Sequence, residues 1–433
     1  MKETITIKNF GGLKNVTIPL NSINIFIGKQ ASGKSVTAKL IYFFRKVFED
    51  IFNGLVEDKK RKEINEDITN RFKTYFPVES WSKNEFFIRY ETGDEHRFAA
   101  LAPINRFILG NISIKRSANN EIEINYFELI NKISAVKKII MENLQDEEVK
   151  KFIEISKDSP KTFAKKTFAK LVYEMAAITK PFGFQIFVPA GRSFFSNIQS
   201  SIFSILATGK SIDPFILEFG SIYERFKNSK DDNNLSKSRK YIQNSLSEVL
   251  DANFFSDKTG DYLIHKDKRK INLLFCSSGQ QETLPLALIL MKFFGKMSLL
   301  ETANTTLYIE EPEAHLFPSA QKKMVEIIAT AHNLSKENSQ LVITTHSPYI
   351  LMSFNNLLQA GQLQERGASK RKLFKIVPEF EILKPGELNA YAFQDGGVIS
   401  LIDEETGLIS ADLLDQVSEE IAVQFDELLD IKS

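Results

Sequence analysis

Cysteine is almost missing from this chain: Cys276 is the only one in 433 residues. That excludes an intramolecular disulfide and fits a reducing compartment, so a cytoplasmic location is expected. Histidine is scarce too, five in all, with no His/Cys spacing of the kind that holds zinc. Net charge is nearly absent. Fifty-six Lys and Arg stand against 55 Asp and Glu, a formal +1, so no global field recruits nucleic acid or an anionic membrane. The basic runs Lys59–Lys62 and Lys266–Lys270 lie beside acids and are expected to be solvated faces. No apolar run approaches the ~20 residues of a membrane span, and Met-Lys-Glu-Thr opens the chain without an apolar signal region. Apolar spacing is not sustained over enough heptads for a long coiled-coil arm. What is present, 43% hydrophobic and 26% charged residues, is ordinary for a globular protein, and the length suggests two or three domains.

The chemistry concentrates in four stretches. Leu307-Tyr308-Ile309 is a short apolar β-type run ending in the adjacent carboxylates Glu310 and Glu311. A buried parallel strand presents such acids at its carboxyl end, where open α/β sheets bind ligands. One carboxylate suits a hydrated Mg²⁺ and the next suits polarising a water. Asn24–Ile27 is a second short apolar run, and it feeds into Gly28-Lys29-Gln30-Ala31-Ser32-Gly33-Lys34-Ser35 and a helix-like stretch from Val36 to Phe48. Strand, glycine loop and helix are the context a phosphate-binding loop requires. The glycines let backbone N–H groups converge on phosphate oxygens, Lys34 reaches the β- and γ-phosphates, and the Ser35 hydroxyl ligates Mg²⁺.

Cys276-Ser277-Ser278-Gly279-Gln280 leads into a helical run from Thr283 to Phe294. Alone it is either an N-cap or a second anion site; the chain has one phosphate loop already, so as a site it would complete the pocket of another subunit. Leu341–Thr345 is a further buried strand, ending at His346-Ser347-Pro348, where a neutral histidine suits a hydrogen bond to a γ-phosphate or an attacking water. His315 is expected in the turn after the acids.

Between these stretches, short strands are expected at Phe86–Tyr90, Arg97–Leu101, Ile112–Lys115 and Ile122–Asn125, then a helical region from Phe127 to Ile178 broken by Pro160. Ile186–Ser193 reads as a strand and a turn carrying Arg192, which either contacts phosphate and transmits nucleotide state or is a surface arginine. The segment from Asn228 to Ser238 is expected to be a loop, and the apolar residues of Phe195–Leu250 to be core or an oligomer face.

Taken together and in order, the four stretches resemble the ABC-type ATPases of the SMC, RecF and OLD-like superfamily. Gly28–Ser35 matches the Walker A loop, Cys276–Gln280 the signature, Leu307–Glu311 Walker B, Pro312–Phe317 the D-loop and His346 the switch histidine. The resemblance covers about the first 50 residues and about 260 to 400. It implies a P-loop ATPase head of α/β class: a mixed central sheet flanked by helices, an antiparallel β subdomain and a helical insertion. The implied division is 1–126 for the first lobe, 127–260 for the mainly helical insertion with strand 184–190 returning to the head, 261–400 for the second lobe and 401–433 for an acidic C-terminal helix.

The resemblance also implies ATP and Mg²⁺ as ligands. Gly28 to Val36 would bind the nucleotide with Lys34 on its phosphates; Ser35 and Glu310 would hold Mg²⁺; Glu311 would activate water and His346 sense the γ-phosphate. Ser277, Ser278, Gly279 and Gln280 would cap the nucleotide of a partner in a homodimer or larger homo-oligomer. Glu-Glu where transporters usually have Asp-Glu points to the RecF/OLD-like branch. No glutamine is a firm Q-loop residue; Gln185 and Gln199 are candidates. Past His346 the chain has Lys384–Glu387, like the family's closing strand region, and the acidic tail Ile402–Leu429, which leaves little room for a nuclease domain of its own. The expectation is therefore an antiphage-defence ATPase of PARIS-like type that controls a TOPRIM-type nuclease supplied in trans. A RecF-like or SMC-like DNA-repair ATPase bound to duplex DNA is the alternative, and a transporter motor is disfavoured.

Overall fold

A computed structural model describes residues 3–81, 84–92, 111–117, 121–126, 183–194, 212–227, 237–257, 260–296, 305–334 and 339–410, with short pieces between 95 and 108, within 138–167 and at 423–424. Its frame is a six-stranded sheet. In chain order the strands used here are β1 Thr4–Phe10, β2 Leu13–Pro19, β3 Ile23–Gly28, β4 Phe86–Glu91, β5 Asn111–Arg116, β6 Ile122–Asn125, β7 Phe184–Val188, β8 Ala252–Asp257, β9 Gly260–His265, β10 Lys270–Asn272, β11 Thr305–Glu310, β12 Ser339–Thr345, β13 Leu388–Gln394 and β14 Gly397–Ser400. The helices are α1 Lys34–Val56, α2 Arg61–Tyr75, α3 Pro214–Lys227, α4 Lys237–Leu250, α5 Ser278–Lys296, α6 Pro318–Leu334 and α7 Pro348–Glu365.

The large sheet has the order β14-β13-β3-β12-β11-β7. Its five strands from β13 to β7 are parallel, and β14 closes the edge antiparallel. Every residue of β11 and β12 is buried, as in a strand covered on both faces. Alternate side chains enter separate cores. Phe26, Tyr308 and Val342 pack with α1, α2 and the five-stranded antiparallel sheet β2-β1-β4-β5-β6. Ile25, Ile27, Leu307, Ile309, Leu341 and Ile343 pack with α4 to α7. A smaller sheet, β8-β9-β10, leads through Leu273–Phe275 into α5.

The expected strands at 86–90, 112–115, 122–125 and 186–188 are present, each one or two residues longer at an end or matched outright. Helix α1 starts at Lys34 and runs to Val56, well beyond Phe48. Phe44, Val47, Phe48 and Ile51 lie on its buried face, so packing rather than local propensity carries it on. Two expectations need correction. A boundary at 260 cuts a hairpin, because strand β8 begins at Ala252 and pairs with β9; within 127–260 the described helices are α3 and α4. The start of the tail, Leu401–Ser410, is not helix: an Ile402–Ile409 bridge closes a turn in which Asp403 accepts the Thr406 N–H at 2.7 Å and Gly407 takes φ +66°. The rest of 401–433, apart from helical Val423 and Gln424, lies outside the described residues, as do the expected strand 97–101, most of 127–178 and Gln199.

Candidate functional site

Strands β3, β12 and β11 are neighbours, so their carboxyl ends bring three stretches far apart in sequence to one edge. At the first, Gly28 (φ +155°), Ala31 (φ +58°) and Gly33 (φ +101°) curl the chain between β3 and α1. A Cβ on Gly28 would lie 2.4 Å from the Phe393 carbonyl oxygen, so glycine is required there. The Lys34 side chain turns back into the loop, donating to the Gly28 and Lys29 carbonyls at 2.8 Å each and to Ser32 Oγ at 3.4 Å. Burial lowers its pKa, while the carboxylates of Glu311 and Glu313 pull the other way. The P-loop lysine therefore feels the acids that follow β11.

Those acids are held by different means. Glu310, 5% exposed, accepts the Ala190 N–H on Oε2 at 3.1 Å. Its Oε1 is buried without a hydrogen-bond partner. Such an oxygen costs free energy unless something cationic or protic meets it, so this carboxylate fits a Mg²⁺ ligand. Glu311 sits at φ +44°, a left-handed conformation rare outside glycine. Its N–H donates to the Thr344 carbonyl at 2.9 Å, and its Oε1 lies 3.3 Å from His346 Nε2. Both side chains are about a third exposed, at 35% and 34%. Glu311 and His346 thus meet although they stand 35 positions apart in the sequence.

Sequence reasoning missed Glu313. Its Oε1 accepts the Thr345 hydroxyl at 2.8 Å and the His346 N–H at 2.6 Å, fixing the main chain that carries the histidine. Burial raises the Glu313 pKa against the pull of these hydrogen bonds. A proline-flanked glutamate three residues past β11 was the available signal. Arg192 is not a surface arginine: it is 1% exposed, and its guanidinium donates to backbone carbonyls, those of Glu310 and Glu311 among them. Gln185 does not reach the carboxyl edge of the sheet that a Q-loop glutamine would need: it is the second residue of the edge strand β7, opposite Thr306 at the amino end, and accepts the Tyr308 hydroxyl at 2.9 Å.

Ser277 and Gln280 form a reciprocal cap at the start of α5, and Gln280 Nε2 donates to the Leu250 carbonyl at 2.7 Å. A Cβ on Gly279 would lie 2.7 Å from the His315 carbonyl oxygen, so this turn packs against its own chain's segment after β11. His315, at φ +58°, is in that turn as expected. Ser277 and Ser278 are exposed, as is Phe275 beside them.

A glycine loop between strand and helix, with acids at the end of a second parallel strand and a third strand between them, defines a P-loop ATPase fold. Residues 1–351 match the AAA ATPase domain family, and the chain belongs to it; it is an ATP hydrolase. No curated protein matches the chain. Among solved structures, the SMC head domain from Thermotoga maritima is similar over 92% of this chain and 98% of that one, at TM-score 0.37 and 9% identity. An SMC head domain with an extended coiled coil, bound to the C-terminal domain of ScpA derived from Pyrococcus furiosus, is similar over 97% and 98%, at 0.35 and 15%. An ATP-binding cassette of an ABC transporter in its ADP conformation is similar over 98% and 99%, at 0.32 and 12%. Among the described residues no helix is long and apolar enough to cross a membrane.

Proposed function

We propose that the carboxyl edge of β3, β12 and β11 binds ATP and hydrolyses it between two copies of the chain. The observation that carries this reading is the convergence of Lys34, Glu310, Glu311 and His346 on that edge, with His346 Nε2 3.3 Å from Glu311 Oε1. Gly28 to Val36 would wrap the phosphates, their N–H groups and the start of α1 supplying positive potential. The buried Lys34 ammonium would exchange its carbonyl partners for phosphate oxygens. Ser35 and the open oxygen of Glu310 would hold Mg²⁺. That ion, when bound, supplies charge neutralisation on the phosphate oxygens.

Glu311 would accept a proton from water as its oxygen attacks the γ-phosphorus and the bond to the β-phosphate oxygen breaks toward ADP. His346, with Nε2 3.3 Å from that carboxylate, would orient it and meet the transferred phosphoryl group. The turn Ser277, Ser278, Gly279 and Gln280, with its two serines exposed, would cap the nucleotide of the partner copy.

A finer reading rests on the resemblance of Glu310–Leu316 to the OLD-like branch. In it the ATP-driven switch is the regulatory subunit of an antiphage-defence system and gates a separate TOPRIM-type nuclease. A second reading, ATP-gated binding of duplex DNA as in RecF-like repair, has its own support: Arg366, Lys370, Arg371, Lys372 and Lys375 are five exposed cations after α7. The test is to purify Glu311→Gln, expressed with its native gene neighbours, in ATP and Mg²⁺. A stoichiometric protein from a neighbouring gene is expected for the defence gate. Duplex DNA recovered without such a protein supports the repair clamp. A preparation that stays monomeric with ATP contradicts the shared premise of a nucleotide held between copies.

A further inference from the structure

Arg192 has no part in the roles just assigned, yet it sits at their centre. Its guanidinium donates from Nε to the Glu282 carbonyl at 3.0 Å and from Nη1 to the carbonyls of Pro189 at 3.0 Å and Glu310 at 2.6 Å. From Nη2 it donates to the Glu311 carbonyl at 3.1 Å. Its counter-charge is the carboxylate of Glu282, 3.7 Å from Nε, and Glu282 is itself 3% exposed. That carboxylate accepts the Arg192 N–H at 2.9 Å, the Ser193 N–H at 3.1 Å and the Ser193 hydroxyl at 2.7 Å.

Two consequences follow. The Glu311 peptide unit, strained at φ +44°, is gripped on both sides: by Thr344 at its N–H and by Arg192 at its carbonyl. A left-handed non-glycine residue persists only where its surroundings over-determine it. Glu282, in turn, lies one turn into α5, four residues after Ser278. A buried ion pair thus links the Ser277–Gln280 end of α5 to Arg192, and Arg192 in turn holds the main chain carrying the two acids.

We propose that Arg192 and Glu282 are positioning residues that couple the Ser277–Gln280 end of α5 to the placement of Glu311. This rests on the reading of Glu311 as the group that activates water. The device makes turnover depend on how α5 is seated, so contact at its exposed end sets the geometry of the same chain's acids. Misplacing a reacting group by about 1 Å costs on the order of a hundredfold in rate, so small shifts of the pair suffice.

The experiment compares wild type, Arg192→Lys, Glu282→Gln, the double variant and Glu311→Gln. Each is measured for steady-state phosphate release, affinity for a fluorescent non-hydrolysable ATP analogue, and thermal midpoint. Both single variants are expected to lower kcat about ten- to a hundredfold while analogue affinity stays within about threefold, because the phosphate loop is untouched. The double variant is expected to be no slower than the slower single one, since both break one unit. Glu311→Gln calibrates the series. If it leaves turnover intact, the assignment of Glu311 fails. If it stops turnover while both single variants keep the wild-type kcat, the coupling is wrong. Should the charged variants not fold, Ser193→Ala removes one hydroxyl from Glu282 and is expected to lower kcat about threefold at unchanged KM; an unchanged kcat there overturns the proposal.

Discussion

Two arginines, Arg45 and Arg192, are among the largest fully buried side chains, and they lie at opposite ends of the same sheet. Arg45, on α1, donates among the described residues to side chains: the hydroxyls of Tyr90 at 2.9 Å and Thr306 at 2.5 Å, and the polar groups of Glu3 and Gln340. Thr306 and Gln340 are the second residues of β11 and β12, so this is the amino end, and the cluster fastens α1, the antiparallel sheet and the central sheet together. Arg192 bonds through its guanidinium to main-chain carbonyls after β7 and β11, at the carboxyl end. Electrostatics differ as well. Burial lowers the Arg45 pKa, but Glu3 and Tyr308 together more than offset it and the net shift is upward. At Arg192 burial prevails over Glu282 and the other acids, and the net shift is downward. The amino end is built for cohesion. The carboxyl end spends an incompletely compensated charge on fixing backbone where acids must stand.

If that contrast holds, substitutions at the two ends separate stability from turnover. The largest effect on stability is expected from Arg45→Met, which leaves the Glu3 carboxylate and Gln340 without their buried partner. A loss of about 3–5 kcal/mol is expected in urea unfolding, with turnover per folded molecule unchanged. A variant of normal stability but no turnover would break the comparison. At the other end, Lys34→Ala is expected to weaken binding of the ATP analogue about tenfold to a hundredfold, from lost charge-assisted hydrogen bonds. Its thermal midpoint should fall little, because the carbonyls of Gly28 and Lys29 then reach water.

His346→Ala sharpens the comparison further. Phosphate release is expected to fall about ten- to a hundredfold with analogue binding retained, since the side chain touches Glu311 and carries no core packing. The smallest effect is expected from Ser277→Ala, which removes the cap of α5 at a cost of about 1 kcal/mol in unfolding. Its turnover should drop only through the seating of α5, and less than in Glu282→Gln.

Much of the site was legible from residues near in sequence. The glycine loop has local steric causes, the apolar runs of β3, β11 and β12 mark strands buried on both faces, and each strand end announced its polar residue. What sequence could not supply was pairing across distance. Arg192 and Glu282 are 90 positions apart, and nothing local distinguishes an arginine in a turn at the surface from one donating to four carbonyls. Glu282 left a weak trace, a lone acid opening the otherwise apolar run Leu284–Leu290. Gln185 was a Q-loop candidate because nothing local tells which end of its strand a glutamine faces; strand pairing sets it at the amino end, buried against Tyr308. The turn at 401–410 was lost because its acids and apolar residues mimic an amphipathic helix, while Asp403 and Gly407 impose a reversal.

In the proposed mechanism the acids after β11 carry out hydrolysis on a nucleotide held by the loop after β3. The most direct test is Glu311→Gln in Mg²⁺, measured side by side for ATP-analogue affinity and for phosphate release. We expect affinity within about threefold of wild type and turnover lower by about two to four orders of magnitude, the usual contribution of a general base. Turnover at the wild-type rate, or loss of nucleotide binding with turnover per bound nucleotide intact, would contradict the account.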